Sequence, residues 1–185
     1  MYKGNNIGGT YEDGRPWTTD TELQWLYEQA KGMRSIVEIG SWLGRSTHAL
    51  CTGCKEGIVY AVDHWQGNVG DPCEAYAKIN SVRHEFAENM RSFHNLIAIC
   101  SSSKEAAQVH LEAYEQFDMV FIDGTHTYEA VKEDIQLWLP KTKKLICGHD
   151  YDGHHSGLQK AVNEAFPDGV KTEGSIWYKW LIQKQ

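Results

Sequence analysis

The chain has no excess of positive charge, and this shortage limits the partners it can bind. Its 185 residues include 18 lysines and arginines against 25 aspartates and glutamates, which gives a formal net charge of -7 at pH 7. Proteins that bind nucleic acid neutralise phosphates with clustered basic side chains, and no basic run interrupts this sequence. We therefore expect no nucleic-acid partner.

Long apolar runs are also missing. No segment approaches the roughly 20 apolar residues that a membrane-spanning helix needs, and residues 1–6 lack the apolar stretch of a secretory signal peptide. The five cysteines lack the spacing of a disulfide framework. The length fits one domain with a full core. These features predict a soluble, single-domain protein of the reducing cytoplasm, with no membrane partner.

One cysteine pair has the spacing of a metal-binding motif. Cys51 and Cys54 form a single C-x-x-C, which is half of the pattern of a four-ligand zinc site. A lone pair is weak evidence for zinc. The alternative interpretation is two small residues at the end of a helix, near Gly53.

Two glycines organise the chain. Ser35–Ile39 is short, apolar and β-branched, which predicts a buried strand, and Gly40 and Gly44 follow it. A helical stretch then begins at about Ser46. A strand, a glycine turn and a helix in this order present backbone N–H groups and the positive end of a helix dipole at one edge of a sheet. We therefore expect a ligand to bind at this turn.

Hydrophobic spacing and turn residues predict the other elements. Residues 1–17 are polar and glycine-rich and are interpreted as an arm or lid, with 66–73 as a second lid segment. Thr19–Glu22 fits a capping box, which predicts a helix to about Lys31. Further strands are predicted at 57–63, 95–99, 117–123, 145–147, 170–172 and 176–182, and further helices at 74–93, 104–114, 128–139 and from a capping Ser156 to Pro167.

The alternation of strands and helices predicts a parallel sheet that is covered on both faces, and the last two strands predict a hairpin at one edge. In such folds ligands bind at the carboxyl ends of the strands. That rule gathers a set of residues along one edge of the sheet, namely Gly40, Asp63, Ser102, Asp123 and His149.

The type of ligand is indicated by Asp63 and by the form of the turn. Asp63 ends the second strand about twenty residues after the glycines, where Rossmann-like folds place a ribose-binding carboxylate. The alternative is a solvated acid at a strand end. The turn reads Glu-x-Gly-x-x-x-Gly rather than the Gly-x-Gly-x-x-Gly of dinucleotide enzymes. Its width and the negative charge of Glu38 disfavour a pyrophosphate and favour a cationic ligand.

With these residues in place, the stretch Val37–Ser46 resembles the first motif of class I S-adenosylmethionine-dependent methyltransferases, and Asp63 matches their ribose-binding acid. Residues 117–128 and 148–151 resemble a narrower branch of small-molecule and sugar O-methyltransferases and cephalosporin-hydroxylase-like proteins. The resemblance covers roughly residues 18–182. It implies an α/β fold, a Rossmann-like three-layer α/β/α sandwich with a seven-stranded, mostly parallel sheet and an antiparallel last strand. Residues 1–17 would form an arm and 18–185 a single methyltransferase domain.

The resemblance also implies where S-adenosyl-L-methionine binds. Its methionine part would lie among residues of the first motif, its ribose on Asp63, and its adenine near Trp65 and Ser102, although many relatives carry an acid where Ser102 stands. The implied cofactor-binding set is Glu38, Gly40, Ser41, Gly44, Asp63, Trp65, Ser102 and Asp123.

A divalent metal is the second predicted ligand. Asp123, His126, His149 and Asp150 combine oxygen and imidazole ligands at two strand ends. In related metal-dependent enzymes such as catechol O-methyltransferase these strand ends supply magnesium ligands, which makes Asp123 and Asp150 the best candidates and His149 the next. An acid stands at the position of His149 in the catechol enzymes, so both Mg and Mn stay open. Alternatively, these residues only hydrogen-bond one another.

The predicted chemistry needs a base for a hydroxyl nucleophile. His126 is predicted to accept the proton, and Asp123 and Asp150 to bind the metal and the substrate oxygen. His126 could instead be a third ligand or a loop anchor. His154 and His155 either extend the cluster or are solvated. Aromatic residues that could line the substrate side are Tyr11, Trp17 and Tyr151.

The function predicted from the residues and the resemblance together is metal-assisted O-methylation of a small hydroxylated molecule, such as a sugar or a natural product. One alternative is a nicotinamide-dependent oxidoreductase, against which the wide glycine turn argues. Another is a cofactor-binding protein without methyl transfer. Trp138 and Trp180 have ordinary explanations as core residues, and the oligomeric state, including a homo-oligomer, stays open.

Overall fold

The computed structural model describes residues 1–10, 14–114 and 116–181. Tyr11 and the predicted end of the last strand at Ile182 lie outside these residues. The strands are β1 Ser35–Ile39, β2 Ile58–Asp63, β3 Leu96–Cys100, β4 Phe117–Ile122, β5 Thr142–Gly148, β6 Lys171–Glu173 and β7 Ile176–Trp180. The helices are α1 Asp20–Ala30, α2 Arg45–Gly53, α3 Pro72–Ile79, α4 Val82–Met90, α5 Ser103–Glu105, a π-helix Ala106–His110, α6 Tyr128–Trp138 and α7 Ser156–Ala165.

The strands form one seven-stranded sheet in the order β3-β2-β1-β4-β5-β7-β6. The pairs from β3 to β5 are parallel, and β7 runs antiparallel to both of its neighbours. The predicted fold, with its antiparallel last strand and its edge hairpin, is confirmed. Within the described ranges, no helix has the length and apolarity that crossing a bilayer requires.

Helices cover both faces of this sheet. Successive side chains of a strand point to opposite faces, so Val120 and Ile122 of β4 join one core cluster and Met119 and Phe121 the other. The first cluster lies under the π-helix, α6 and α7 and includes Trp138, while the second lies under α1 and α2. All six residues of β4 are buried, as expected for a central strand of a doubly covered sheet.

The helix predicted over 74–93 is two helices, and the prediction was wrong there. Ile79, which fits the helical spacing, is 83% exposed, so this position contributes nothing to a core face. Asn80 has an extended backbone, and its side-chain amide donates to the Tyr76 carbonyl. Asn and Ser favour such local bonds over continued helix, and Ser81 is the N-cap of α4.

Two other helices also differ from their predictions. The segment predicted as a helix over 104–114 is the short α5 followed by the π-helix, which ends before Leu111. Its buried residues are few, so little packing favours a regular helix there. Ser156 is the first residue of α7 rather than its cap, and His155 occupies the N-cap position without a side-chain bond.

The start of α1 follows its prediction. The Thr19 hydroxyl accepts from the Glu22 N–H, and Glu22 Oε2 accepts from the Thr19 N–H at 2.8 Å, which completes the capping box. The second carboxylate oxygen, Glu22 Oε1, accepts from the Ser175 N–H at 2.7 Å. Glu22 therefore joins the first helix to the β6–β7 hairpin.

Candidate active site

A cavity of about 810 Å³ opens at the carboxyl ends of the parallel strands. The five residues that the strand-end rule gathers all line it, namely Gly40, Asp63, Ser102, Asp123 and His149. The cavity is also lined by Gly8–Thr10 and Trp17 from the arm, and by Gly67, Asn68 and Asp71 from the segment after β2. Both predicted lid segments therefore border the site.

The glycine turn forms the centre of the cavity wall. Gly40 has a φ of 88°, and a Cβ at this position would lie 2.0 Å from the Asp123 carbonyl oxygen, so only glycine lets β1 and β4 approach here. Gly44, with a φ of 96°, is the N-cap of α2, and its N–H donates to the Ser41 carbonyl. Ser41 lines the cavity, whereas Gly44 does not.

Glu38 lies beneath the turn rather than in the cavity. It is completely buried, and the Thr47 hydroxyl of α2 donates to its Oε2. Burial raises the pKa of Glu38 to about 7. Its Oε1 and the Ser41 hydroxyl are both buried without a partner among the described residues. Glu38 does not line the cavity and supports the turn from below, and its predicted contact with the cofactor stays a prediction.

Asp63 is held by backbone groups on both sides. Its Oδ2 accepts from the Trp42 N–H at 2.8 Å and its Oδ1 from the Trp65 N–H at 2.6 Å. Both tryptophans have positive φ, 46° and 54°, a conformation that bulky residues adopt only when surrounding bonds enforce it. Burial raises the pKa of Asp63. Each carboxylate oxygen has a second lone pair, so Asp63 can still accept from a ribose diol.

Trp65 does not line the cavity, although it was predicted beside adenine. Its ring packs against Phe86 at 5.1 Å between centroids, and its Nε1 donates to the Trp42 carbonyl. Its role in the described structure is to position Asp63 through its backbone N–H.

The end of the cavity beyond β3 is lined by Ser101, Ser102 and Ser103 and by the buried acid Asp134. Ser102 caps α5 and accepts from the Glu105 N–H at 3.2 Å. The Ser103 hydroxyl donates to Asp134 of α6, and burial raises the pKa of Asp134 to about 6. Sequence reasoning missed Asp134. The available signal was its place on the buried face of α6, three residues after Val131 and one before Ile135.

The opposite end holds the candidate metal cluster. Asp123, His126 and Asp150 each offer one ligand atom, and these atoms lie within 4.8 Å of one another. His126 Nε2 is 2.9 Å from Asp150 Oδ2. Burial alone would lower the pKa of His126, but the hydrogen bond and the charge of Asp150 raise it. Burial raises the pKa of Asp123 to about 6. Asp150 has a φ of 59°, which makes it a third strained residue at this edge.

His149 lies among three carboxylates instead of in this cluster. Its Nε2 is 3.4 Å from Glu22 Oε2, and its Nδ1 is 3.3 Å from Asp150 Oδ1 and 3.9 Å from Asp123 Oδ1. Burial alone would lower the pKa of His149, but these acids raise it well above its ordinary value. The structure therefore groups His126, predicted as the base, with Asp123 and Asp150, and leaves His149, predicted as a ligand, beside them.

The remaining candidate residues, predicted either on the substrate side or as an extension of the metal cluster, differ in whether they line the cavity. Trp17 and His155 line the cavity, and the His155 ring lies 4.6 Å from the His126 ring. His154 is exposed and does not line it. Tyr151 does not line it either, because its hydroxyl donates to Asn163 of α7 at 2.7 Å.

Arg45 fixes the arm over the cavity, a role that the sequence did not indicate. Its guanidinium donates to the carbonyls of Asn5, Ile7 and Thr18 and lies 3.0 Å from Asp20. Carbonyl contacts of this kind depend on the fold of the arm, so no residue pattern marks them. Arg45 is the first residue of α2, so it ties the arm directly to the glycine turn.

The structure supports the second interpretation of the C-x-x-C pair, namely two small residues at the end of a helix rather than half of a zinc site. Cys51 and Cys54 are buried at the end of α2, and the Cys54 thiol donates to the Met33 carbonyl at 3.1 Å. Burial raises the pKa of both thiols, for Cys54 to about 11. Protonated thiols are poor zinc ligands.

Comparison with known proteins relates this geometry to one family. A family model described as a methyltransferase domain matches residues 37–151, which is more than half of the chain. A curated relative from Sinorhizobium fredii (strain NBRC 101917 / NGR234), uncharacterized protein y4gI, is 25% identical over 163 residues. The match covers 78% of this chain, but the chain spans only 17% of the length of that relative.

Solved structures of low identity share the fold. An O-methyltransferase from Bacillus cereus in complex with SAH is 19% identical, with a TM-score of 0.62 over 86% of this chain and 80% of that one. CalS11, a TDP-rhamnose 3'-O-methyltransferase of calicheamicin biosynthesis, is 16% identical, with a TM-score of 0.62 over 86% of this chain and 77% of that one. At such identities the likeness concerns the fold alone.

Proposed function

Because the chain belongs to the methyltransferase-domain family whose model it matches, we propose that it transfers the methyl group of S-adenosylmethionine to a hydroxyl of a small molecule. One observation carries this proposal. A single cavity has the half-buried carboxylate Asp63 on one side of the Gly40 turn and the pair His126–Asp150 on the other. The first suits a ribose diol, and the second suits a hydroxyl that must lose its proton.

The charges around the cavity favour a sulfonium over a dinucleotide. Asp63, Asp123 and Asp150 border the space in which a cationic sulfur would lie. Of the lysines and arginines in the described lining, Lys104 pairs with Glu133 at 2.8 Å and Arg45 holds the arm. A pyrophosphate would thus meet acids without a free cation, which argues against the nicotinamide alternative.

His126 is the proposed general base. With its Nε2–H donated to Asp150, its Nδ1 keeps a lone pair for the proton of the acceptor hydroxyl. The oxygen then attacks the methyl carbon as the carbon–sulfur bond breaks, and S-adenosylhomocysteine leaves. Asp150 holds the imidazole in one tautomer and stabilises the imidazolium that forms, as a carboxylate does in a catalytic triad.

The proposal also includes assistance of the methyl transfer by a divalent metal ion. Two carboxylates and one imidazole within 4.8 Å fit the donor set of a divalent cation. Asp123, His126 and Asp150 would hold the ion, which when bound lowers the pKa of a coordinated hydroxyl. His126 cannot be both the base held by Asp150 and a metal ligand through Nε2, because coordination through Nε2 would replace its bond to Asp150. Transfer that survives removal of divalent ions would assign His126 to the base role alone.

A sugar or another polyhydroxylated molecule is the proposed acceptor class. Thr18, Asn68 and Thr125 also line the cavity. The Thr125 hydroxyl donates to Asn68 Oδ1 at 2.9 Å, and the lone pairs and N–H groups that remain free on these side chains can hydrogen-bond hydroxyl groups. The fold neighbour that acts on TDP-rhamnose supports this class by analogy alone. The intact His126–Asp150 pair argues against a protein that only binds the cofactor.

A calorimetric titration tests the cofactor, with S-adenosylhomocysteine and NAD as ligands. We expect S-adenosylhomocysteine to bind and NAD not to bind. The variant Asp63→Asn should bind S-adenosylhomocysteine at least about tenfold more weakly, since a hydrogen bond to a charged group contributes about 1.5–3 kcal/mol. Asn keeps an oxygen for only one of the two backbone N–H groups, those of Trp42 and Trp65, and places its NH2 against the other, so a thermal melt checks folding. NAD binding without S-adenosylhomocysteine binding would refute the proposal. Production of S-adenosylhomocysteine with a panel of hydroxylated acceptors, with and without EDTA, then tests transfer and metal dependence.

A further inference from the structure

The strand β3 forms one edge of the sheet and directs backbone groups away from it. Among the described strands it pairs with β2 alone. The N–H of Ser101, directly after the strand, donates to the Asp63 carbonyl of β2. Alternate residues of a strand direct their backbone groups to the same side, so those of Leu96, Ala98 and Cys100 point outward. Within the described ranges, no other strand or loop pairs with these outward groups.

This edge lacks the features that commonly protect a sheet from pairing with another chain. Such features are charged side chains, proline, a bulge or a very short strand. The five residues of β3 read Leu-Ile-Ala-Ile-Cys, and their register with β2 has no shift. Ala98 is exposed, and Ile97 is 45% exposed. The opposite edge strand, β6, has three residues and carries Lys171 and Glu173. One edge of the sheet is therefore protected, and the other is open to a partner strand.

The residues of β3 are arranged so that the strand can pair with a second copy of itself. Antiparallel pairing centred on Ala98 sets this residue against Ala98 of the second copy, with Leu96 opposite Cys100 on either side. Three residues with two outward groups each, on two strands, then form six hydrogen bonds and leave no outward group of β3 unpaired. On the other face of the sheet Ile97 lies opposite Ile99 in both halves. A shift of one residue would oppose groups that already bond to β2, which fixes the register.

The charges and the size of this surface also fit a second copy. Residues 95–103 include no charged side chain, so pairing opposes no like charges there although each copy has a net charge of -7. Ile97 is in register with Tyr60, whose hydroxyl donates to Tyr114, and Tyr114 is 43% exposed beside them. Two paired strands of five residues form a smaller interface than the standard size of about 1,600 Å². We therefore expect a dissociation constant on the order of 10 μM.

We propose that the outer edge of β3 is a homodimer interface, at which two copies join their sheets by antiparallel pairing of their β3 strands. The joined sheet has fourteen strands, seven from each copy. Such a contact uses the same surface on both copies, so it closes on itself and leaves no further β3 edge free. Residues 96–100 do not line the cavity, and the interface is thus independent of the proposed function.

Sedimentation equilibrium of the full chain, from about 1 to 300 μM, tests the interface with two variants. Ala98→Lys places two lysines opposite one another at the centre of the pairing. Thr172→Lys makes the same change of charge at an exposed position of β6 and is the matched control. Thermal melts confirm that both variants fold. We expect the unaltered protein to change from monomer to dimer over this range. Ala98→Lys should raise the dissociation constant at least about tenfold, and Thr172→Lys should leave it within about twofold.

Disulfide formation under mild oxidation tests the register. Residues opposite one another in a hydrogen-bonded antiparallel pair have their Cα atoms about 5.5 Å apart, which a disulfide can span. Ala98→Cys should therefore form a covalent dimer at concentrations above the dissociation constant. The exposed Cys100 lies four positions along the strand from Cys100 of the second copy, about 14 Å away, so the unaltered protein should not form this bond.

A protein that stays monomeric over the whole concentration range would overturn the inference. A dimer that Ala98→Lys leaves intact, or that Thr172→Lys weakens equally, would place the interface elsewhere and overturn it as well. Covalent dimers through Cys100 in the unaltered protein would contradict the register, and assemblies larger than a dimer would contradict its closure.

Discussion

Replacing Glu22 by glutamine should destabilise the protein strongly, because this carboxylate joins three parts of the molecule. Glu22 caps α1 through Thr19, accepts from the Ser175 N–H of the hairpin, and lies 3.4 Å from His149. Burial alone would raise the pKa of Glu22, but the hydrogen bond and the charge of His149 and the backbone bonds lower it from 4.5 to about 2. Its side chain is only 3% exposed, so solvent screens these bonds little.

The fall in pKa from 4.5 to about 2 corresponds to about 3 kcal/mol of stability at neutral pH. The folded-state pKa is depressed, so this stability is fully present above 4.5 and is lost as the pH falls through 2. Glu22→Gln should therefore lower the free energy of unfolding by about 3 kcal/mol at pH 7, and by only about 2 kcal/mol near pH 3.5. The loss at neutral pH agrees with the cost of breaking a buried ion pair.

Urea denaturation of both proteins at the two pH values measures this difference. Glu28→Gln is the matched control, because Glu28 lies on the same helix and pairs with Lys31 at an exposed site, where we expect no measurable change. A Glu22→Gln protein within about 1 kcal/mol of the original at pH 7 would refute the reasoning. A difference that does not shrink as the pH falls would refute it equally.

Three further predictions concern the site itself. Gly40→Ala should cost at least about 3 kcal/mol, since its Cβ would overlap the Asp123 carbonyl at a φ of 88°, and chemical denaturation measures the loss. His126→Gln should abolish methyl transfer and leave the affinity for S-adenosylhomocysteine within about twofold. In the unaltered protein the rate of transfer should rise with pH through a midpoint above 6.5, because Asp150 raises the pKa of the base. Transfer retained in the variant, or a falling pH profile, would remove the base assignment. Arg45→Met should release the arm, so limited proteolysis within residues 1–10 should become faster, and unchanged cleavage would contradict the role of its carbonyl contacts.

The central strands were predictable because their residues are buried on both faces. β1, β2 and β4 lie within one residue of their predicted bounds, since short apolar runs between polar turns admit little else. The helices between β2 and β4 were not predictable, because weak packing there leaves local chemistry to decide. At Asn80 side-chain bonding to the backbone ended a helix that the hydrophobic spacing continued.

The site was predictable in its place and less so in its contacts. The rule for parallel strands located Asp63 and Asp123, but it does not tell which way a side chain turns. Glu38 points beneath the sheet edge toward Thr47, because side chains alternate along β1. Asp150, with a φ of 59°, lies beside both His126 and His149, and nothing in the residue types signals that backbone conformation.

A crystal structure of the protein with S-adenosylhomocysteine tests the central claim most directly. We predict the ribose hydroxyls within about 2.6–3.2 Å of the Asp63 carboxylate, and the sulfur directed toward Asp123 and His126. A nucleoside bound away from Asp63, or with its sulfur directed away from the His126–Asp150 pair, would contradict the account.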